Sequence, residues 1–223
     1  MAKKILMLHG LAQSGAYFAS KTKGFRAEME KLGYELYYPT APNEFPPADV
    51  PDFLGDVIAD APTDGDSNGV LAWLEDDPAT NGYFIPQTTI DYLHDYVLEK
   101  GPFTGIVGFS QGAGVAGYLA TDFNGLLGLT AEEQAPLEFF MAFSGFRFRP
   151  QQYQKQYDTH PISIPSLHVQ GELDTITEPI KVQGLYQSCT EDSRTLLMHS
   201  GGHFVPNTRG FVKKVGQWLQ DVA

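Results

Sequence analysis

The stretch Gly105-Ile-Val-Gly-Phe-Ser-Gln-Gly-Ala113 holds the strongest local signal in this chain of 223 residues. It begins as an apolar run typical of a buried parallel strand, and the small residues after it predict a helix up to about residue 122. Between the two, Gly108-Phe-Ser-Gln-Gly112 matches G-x-S-x-G. Side chains two residues either side of the serine would clash in a sharp strand-to-helix turn. The pattern therefore predicts such a turn, with the Ser110 hydroxyl raised above the end of the strand.

Strand and helix patterns alternate on both sides of this turn. Alternation of this kind predicts an α/β fold with one mostly parallel sheet covered by helices on both faces. The length suits a single domain over residues 1–223. We expect strands at residues 4–8, 34–38, 103–109, 139–143, 166–170 and 195–199. We expect helices at residues 16–32, 111–122, 178–188 and 208–222, and one that Thr88 or Thr89 caps and that ends at residue 99.

Composition and charge exclude several classes of function. The net charge of −12 and the pI near 4.8 argue against a nucleic-acid partner, which requires clustered Lys and Arg, and against binding to anionic membranes. No apolar run approaches the roughly 18 residues of a membrane span. Cys189 is the only cysteine, so no internal disulfide forms and a reducing compartment is compatible. We expect a soluble cytoplasmic protein. A nucleophilic role for Cys189 is not expected, because no base is linked to it in the sequence as a family signature would require.

A reactive serine hydroxyl needs a general base, and the base follows the serine in the chain when the turn has this form. Of the six histidines, His199 and His203 lie beyond the last predicted strand or at its end. His203 sits in the Gly-rich loop after the strand and is free to reach Ser110, so we predict it as the base. His199 is the alternative, with a structural role expected. His168 lies inside a predicted apolar strand, and we expect it to be a core residue.

A base of this kind also needs a carboxylate to fix its tautomer. The segment Gly171-Glu-Leu-Asp-Thr175 follows the predicted strand 166–170. A carboxylate there lies at the carboxyl edge of the sheet, where sites in α/β proteins gather. We predict Asp174 for this role, with Glu172 as the fallback.

Two backbone N–H groups are predicted to stabilise a developing oxyanion. The Gln111 N–H begins the helix after the turn, where the dipole favours negative charge. The Leu11 N–H lies in His9-Gly-Leu-Ala12, directly after the first strand. Gln13 either bonds the backbone of that loop or is an exposed polar residue.

A second pattern overlaps the turn. Gly112-Ala-Gly-Val-Ala-Gly117 matches G-x-G-x-x-G, and Glu132 and Glu133 follow at about the spacing of a ribose-binding acid in a dinucleotide-binding oxidoreductase. However, a phosphate-binding first glycine closes the strand itself, and Ser110 and Gln111 already occupy that position. We expect these glycines to allow close helix packing instead, and we predict neither a metal nor an organic cofactor.

Three motifs resemble the fungal FSH family of serine hydrolases: His9-Gly-Leu-Ala-Gln13, Gly101-Pro-Phe-Thr-Gly-Ile-Val-Gly-Phe-Ser-Gln-Gly-Ala113 and Gly201-Gly-His-Phe-Val-Pro206. The resemblance spans nearly the whole chain. It implies a small cytoplasmic α/β-hydrolase with carboxylesterase or thioesterase activity. It also implies that Ser110, Asp174 and His203 occupy the positions of a catalytic triad.

We therefore expect hydrolysis of acyl esters through an acyl-enzyme, with acyl thioesters as the alternative substrate class. A non-catalytic binding module is the alternative from a different class of function. Members of the family often carry Arg-Ala-Trp where this chain has Leu71-Ala-Trp73. Substrate preference is therefore not carried over from the family.

The segment at about residues 43–84 has no clear period and predicts an irregular insert of the kind that forms lids and binding loops. No Lys or Arg occurs from Leu32 to Glu99, a span with 14 of the 27 acidic residues. We hypothesise that aromatic side chains wall an acyl pocket while the carboxylates stay solvated at its rim. The alternative is that the aromatics only pin a long loop to the core. The candidate pocket residues are Phe45, Trp73, Tyr83, Phe84 and Phe204.

Overall fold

The computed structural model describes residues 3–45 and 70–222. The strands in these ranges are β1 (Lys3–Leu8), β2 (Tyr34–Tyr37), β3 (Asn43–Phe45), β4 (Val70–Ala72), β5 (Glu75–Asp77), β6 (Gly82–Phe84), β7 (Gly105–Phe109), β8 (Phe139–Phe143), β9 (Ser166–Gly171) and β10 (Arg194–His199). The helices are α1 (Gly15–Lys21), α2 (Lys23–Lys31), α3 (Gln87–Lys100), α4 (Gln111–Leu119), α5 (Phe123–Leu127), α6 (Gln151–Thr159), α7 (Pro179–Tyr186) and α8 (Arg209–Val222).

Six strands form one parallel sheet in the order β10-β9-β8-β7-β1-β2. Two antiparallel pairs, β3 with β4 and β5 with β6, lie outside it. The parallel arrangement is the one the sequence predicts, because strands joined through helices run in the same direction. Across residues 3–45 and 70–222, no helix is long and apolar enough to cross a membrane.

The alternating side chains of β1 show how the sheet is covered on both faces. Ile5 and Met7 are buried in one hydrophobic cluster with residues of α1, α2 and α8. Leu6 and Leu8 are buried in the other cluster with residues of α3 and α4. Successive side chains of a strand point to opposite faces, so a continuous apolar strand requires apolar helices on both sides. The predicted helices on both faces are therefore present.

Three local predictions differ from the structure. The helix expected over residues 16–32 is two helices that meet at Thr22, whose side chain bonds the Phe18 carbonyl. The insert expected to be irregular at 43–84 contains the short strands β3 to β6 in its described parts, and residues 46–69 lie outside the described ranges. Helix α3 begins after Pro86, so neither Thr88 nor Thr89 is its cap. The insert strands form through antiparallel pairing of β3 with β4 and of β5 with β6, which local periodicity does not report.

The topology gathers several loops at one edge of the sheet. The carboxyl ends of β1, β7, β9 and β10 lie side by side or one strand apart, because these strands are parallel. The loops that follow them contain Leu11, Ser110, Asp174 and His203. In an open α/β sheet this edge is where ligand sites form.

His168 on β9 makes stability depend on pH. Its side chain is fully buried beside Cys189, and burial lowers its pKa to about 3. An unfolded histidine titrates near pH 6.5, so between these values the unfolded chain binds a proton that the folded chain excludes. The stability contributed by the neutral ring is complete above pH 6.5 and is lost as the pH falls toward 3.

We expect this residue to account for about 2 kcal/mol of the stability lost between pH 7 and pH 5. Urea unfolding at the two pH values, compared between the wild type and His168→Gln, measures the difference. Between pH 7 and pH 5, the free energy of unfolding of His168→Gln should fall by about 2 kcal/mol less than that of the wild type. His160→Gln, a change at an exposed histidine, is the matched control. Equal pH dependence in the wild type and His168→Gln would contradict the assignment.

Candidate active site

Ser110 lies in a strained turn between β7 and α4. Its backbone has φ 52° and ψ −118°, a left-handed conformation that residues with side chains rarely adopt. A Cβ on Gly108 would lie 2.4 Å from the Gly112 carbonyl oxygen, and a Cβ on Gly112 would lie 2.3 Å from the Leu8 carbonyl oxygen. Both positions therefore require glycine because of close backbone approach. This is the turn that G-x-S-x-G predicts.

The side chains of Ser110, His203 and Asp174 are in contact. His203 Nε2 lies 2.9 Å from Ser110 Oγ, and His203 Nδ1 lies 2.9 Å from Asp174 Oδ2 and 3.1 Å from Oδ1. A carboxylate only accepts hydrogen bonds, so Nδ1 carries the proton and Nε2 is the acceptor for the serine hydroxyl. The His203 ring also packs on Phe109, with centroids 4.8 Å apart. The predicted serine, histidine and aspartate are thus brought together across 93 residues of chain.

The Asp174 carboxylate is fully buried and held in its charged form. Burial alone would raise its pKa, but the hydrogen bond from His203 and the backbone N–H of Thr177 outweigh burial and keep the pKa below its usual range. The N–H groups of Ile176 and Thr177 donate to Oδ1 at 3.0 and 2.8 Å. The hydroxyl of Ser144 also favours the carboxylate, although it does not reach hydrogen-bonding geometry.

The backbone donors to Asp174 were not identified from the sequence. The signal was present in Asp174-Thr-Ile-Thr177, because an aspartate commonly accepts bonds from the N–H groups two and three residues on. The fallback acid, Glu172, is exposed, and its N–H donates to the His199 carbonyl. Of the two acids, Asp174 is the one in contact with His203.

His199 is the last residue of β10, and its side chain packs against aromatic rings instead of facing Ser110. Its Nδ1 accepts the Gly201 N–H at 3.2 Å, and its ring lies against Phe204 and Phe211 with centroids 5.1 and 5.9 Å away. Burial lowers its pKa. These contacts fit the structural role that the sequence suggested for it.

The two predicted oxyanion donors lie at the start of α4 and in the loop after β1. Within the described ranges, neither the Leu11 nor the Gln111 N–H donates a backbone hydrogen bond. The Gln13 side chain accepts the Gly10 N–H at 3.1 Å and stiffens this loop, which was one of the two expectations for it. A negatively charged oxygen between the two N–H groups would satisfy both of them.

The five aromatic residues predicted to line a substrate pocket have different environments. Trp73 is 0% exposed, so its side chain offers no surface to a substrate, and this prediction is wrong for it. Tyr83 is half-buried against Phe146 and Phe148, and its hydroxyl accepts the Arg149 N–H. Phe84 is half-buried against the cluster that includes α3 and α4. Phe204, next to His203, is 50% exposed. The Phe45 side chain lies outside the described residues.

The structure supports neither dinucleotide binding by the G-x-G-x-x-G pattern nor nucleophilic chemistry at Cys189. The Gly112–Gly117 pattern lies inside α4, where a Cβ on Gly117 would be 2.7 Å from the Leu185 side chain, so its glycines serve helix packing. Cys189 is buried, and burial raises the pKa of its thiol to about 11, which opposes thiolate chemistry. Over the described part of the chain, no three His, Cys, Asp or Glu side chains form a candidate metal site.

A parallel sheet with a strained serine turn, and with a histidine and a carboxylate aligned on the serine, defines a serine hydrolase of the α/β-hydrolase fold. The profile of the family described as "Serine hydrolase (FSH1)" matches residues 1–215. The chain belongs to this family. The resemblance inferred from the three motifs is thereby confirmed.

Relatives and solved structures agree with this assignment. The chain is 86% identical over 222 residues to "Family of serine hydrolases 2" of Saccharomyces cerevisiae, with 100% of both chains covered. It is 29% identical to "Esterase OVCA2" of Danio rerio, over 91% of this chain and 90% of that one. The crystal structure of Zea mays acyl-protein thioesterase 2 matches with a TM-score of 0.62 at 19% identity, over 99% of this chain and 94% of that one. This last similarity confirms the fold.

Proposed function

We propose that the protein hydrolyses acyl carboxylic esters through a covalent acyl-enzyme on Ser110. The observation that carries the proposal is the 2.9 Å contact between His203 Nε2 and Ser110 Oγ, with Asp174 on the other ring nitrogen. A hydroxyl in this position can lose its proton to the ring as it attacks a carbonyl carbon. Support also comes from the relative named as an esterase.

In the acylation step, Ser110 Oγ attacks the ester carbonyl carbon and its proton moves to His203 Nε2. The carbonyl oxygen becomes an oxyanion, which the N–H groups of Leu11 and Gln111 stabilise. Asp174 stabilises the imidazolium and keeps Nδ1 protonated. When the tetrahedral intermediate collapses, the C–O bond to the alcohol breaks and Nε2 returns the proton to the departing oxygen.

In the deacylation step, a water molecule takes the place of the alcohol. His203 Nε2 accepts one water proton while the water oxygen attacks the acyl carbon. Collapse of this second intermediate breaks the bond to Ser110 Oγ, which regains the proton from Nε2. The products are a carboxylic acid and the free enzyme. Reaction of a fluorophosphonate probe with the wild type tests the proposal and separates it from a non-catalytic binding module.

Thioester hydrolysis is the second candidate, because the same three side chains would serve it. The structural similarity to an acyl-protein thioesterase concerns the fold and does not select between the two substrates. Neutral p-nitrophenyl esters of graded acyl length, assayed beside acyl-CoAs of the same lengths, distinguish them. Higher kcat/KM on the esters supports the esterase, and higher kcat/KM on the thioesters supports the alternative.

Salt should affect the two substrate classes differently. The protein carries a net charge of −12, and the span from Leu32 to Glu99 holds acidic residues but no Lys or Arg. Repulsion of an anionic acyl-CoA weakens as salt screens it, so we expect its kcat/KM to rise roughly threefold to tenfold from 10 to 200 mM NaCl. A neutral ester of the same acyl chain, the matched control, should change little. Salt-independent hydrolysis of the acyl-CoA would contradict this electrostatic effect.

If an apolar acyl pocket is present, medium-chain neutral esters should give higher kcat/KM than acetate esters. Phe204, exposed beside His203, is the described residue best placed to contact such a chain, and Tyr83 and Phe84 stay candidates. A flat chain-length profile would remove the pocket from the proposal.

We also propose a cytoplasmic location, which the single buried cysteine supports, and small-molecule substrates rather than nucleic acid, which the negative charge supports.

A further inference from the structure

Trp73, directly after β4, is hydrogen-bonded both to the start of α4 and to the loop after β1, the two segments that carry the predicted oxyanion donors. Its backbone N–H donates to Gln111 Oε1 at 2.8 Å, and its indole Nε1–H donates to the His9 carbonyl at 2.9 Å. The indole also lies against the His9 ring, with centroids 5.0 Å apart. Two residues earlier, the Leu71 carbonyl accepts the Ala12 N–H at 2.9 Å.

These bonds surround the two N–H groups that are predicted to stabilise the oxyanion. His9 and Ala12 lie on either side of Leu11 in the chain, and Gln111 is itself the second donor residue. Ala12 has φ 63°, a conformation that costs free energy and persists only where neighbouring contacts impose it. Residues 71–73 therefore bond both halves of the predicted oxyanion hole, although they touch no reacting atom.

A buried polar network holds the segment 71–73 in place. The Thr89 hydroxyl donates to the Trp73 carbonyl at 2.8 Å, and Asn43 Nδ2 lies 3.1 Å from the Ala72 carbonyl and 2.7 Å from Thr89 Oγ1. The side chains of Thr89 and Asn43 are both buried. Hydrogen bonds are strong and directional in such low-dielectric surroundings, so the network holds the segment in one position.

The His9 ring completes the arrangement on the other side of the loop. Its Nε2 accepts the Ala41 N–H at 2.9 Å, and its Nδ1 lies 2.7 Å from the Gly10 carbonyl, to which it donates. Burial lowers the pKa of His9 to about 4, so the ring stays neutral and keeps both bonds at neutral pH. The loop after β1 is thus held by Trp73 on one side and by the His9 bonds on the other.

We propose that Trp73 is a positioning residue that sets the separation and direction of the Leu11 and Gln111 N–H groups. The inference rests on the proposed function, because it assigns these two groups to the oxyanion. Donors that are fixed before the reaction stabilise the transition state without reorganising, and this is the source of their catalytic effect. A small displacement of either N–H group would therefore lower kcat more than it changes substrate binding.

The variant Trp73→Phe tests the inference because it removes the indole N–H and keeps an aromatic ring. We expect kcat per active site, counted by titration, to fall roughly 10- to 100-fold while KM stays within about twofold. The affinity of a trifluoromethyl ketone, whose bound form places an oxyanion in the same position, should fall by a similar factor. Gln111→Met, which keeps the backbone donor and removes the side-chain acceptor, should give a smaller change in the same direction.

Trp218→Phe is the matched control. Trp218 on α8 also donates an indole hydrogen bond, to Thr195 Oγ1 at 3.2 Å, but it belongs to the opposite face of the sheet. Its variant should keep the wild-type kcat and inhibitor affinity. An active wild type with unchanged kcat in Trp73→Phe would overturn the inference. If Trp73→Phe fails to fold, unchanged kcat in Gln111→Met would overturn it. A wild type that neither hydrolyses esters nor reacts with a fluorophosphonate would instead overturn the proposed function.

Discussion

Replacing Ser110 with alanine is expected to abolish labelling by a fluorophosphonate and to lower kcat for ester hydrolysis by roughly 10⁶-fold. The physical reason is that Ser110 Oγ lies 2.9 Å from His203 Nε2, and no other nucleophile among residues 3–45 and 70–222 is bonded to that nitrogen. Alanine has the same backbone strain as serine at φ 52°, so the thermal stability of the variant should be close to that of the wild type.

The measurement combines gel detection of the probe, mass spectrometry of the labelled peptide and steady-state kinetics. Ser20→Ala is the control, because Ser20 is an exposed serine in α1 whose hydroxyl donates to the Tyr17 carbonyl of the same helix. That variant should label and turn over like the wild type. Labelling of Ser110→Ala at the wild-type rate would show that another residue is the nucleophile.

Replacing His203 with alanine is expected to cost about as much as the loss of Ser110, roughly 10⁶-fold in kcat. Without the ring, the serine proton loses the Nε2 acceptor, and the buried Asp174 carboxylate loses the Nδ1–H donor while it keeps those of Ile176 and Thr177. Because the serine and the base act as one unit, the double variant Ser110→Ala/His203→Ala should be no slower than either single variant. Additive losses would contradict their assignment to one mechanism.

His199→Ala is the matched control for the base. The His199 ring packs between Phe204 and Phe211, so its removal should lower the free energy of unfolding by about 1–2 kcal/mol. The effect on kcat should stay within about tenfold, because the His199 ring packs on Phe204 and Phe211 and is not bonded to Ser110 or His203 in the described residues. A large loss of kcat in the His199 variant alone would reverse the choice of base.

Much of the fold could be predicted from the sequence, because its main signals are local. The apolar run before Ser110, and the glycines two residues either side of it, predict a strand, a tight turn and a helix from residue types within nine positions. The bounds of β7, β8 and β9 accordingly lie within two residues of those expected. Helix α6 was missed because Gln151–Thr159 is mainly polar, and only Tyr153 and Tyr157 mark its buried face.

The candidate site, like the fold, could be predicted from the sequence only in part. The residue types and their order along the chain predicted Ser110, Asp174 and His203, with His199 as the alternative base, because nucleophile, carboxylate and base follow different strands that end at one edge. The buried position of Trp73 and its bonds to His9 and Gln111 could not be obtained from the sequence. An aromatic residue in an irregular acidic segment predicts either a pocket wall or a core contact equally well.

The sequence by itself determined the class of fold, the strained turn and the set of side chains available for the chemistry, since these depend on local sterics and on residue identity. Only the tertiary structure decided that His203 rather than His199 faces Ser110, and that Trp73 is buried between His9 and Gln111. These pairings join segments between 38 and 93 residues apart. Such contacts depend on how separate elements pack and exclude water, and local periodicity does not report that packing.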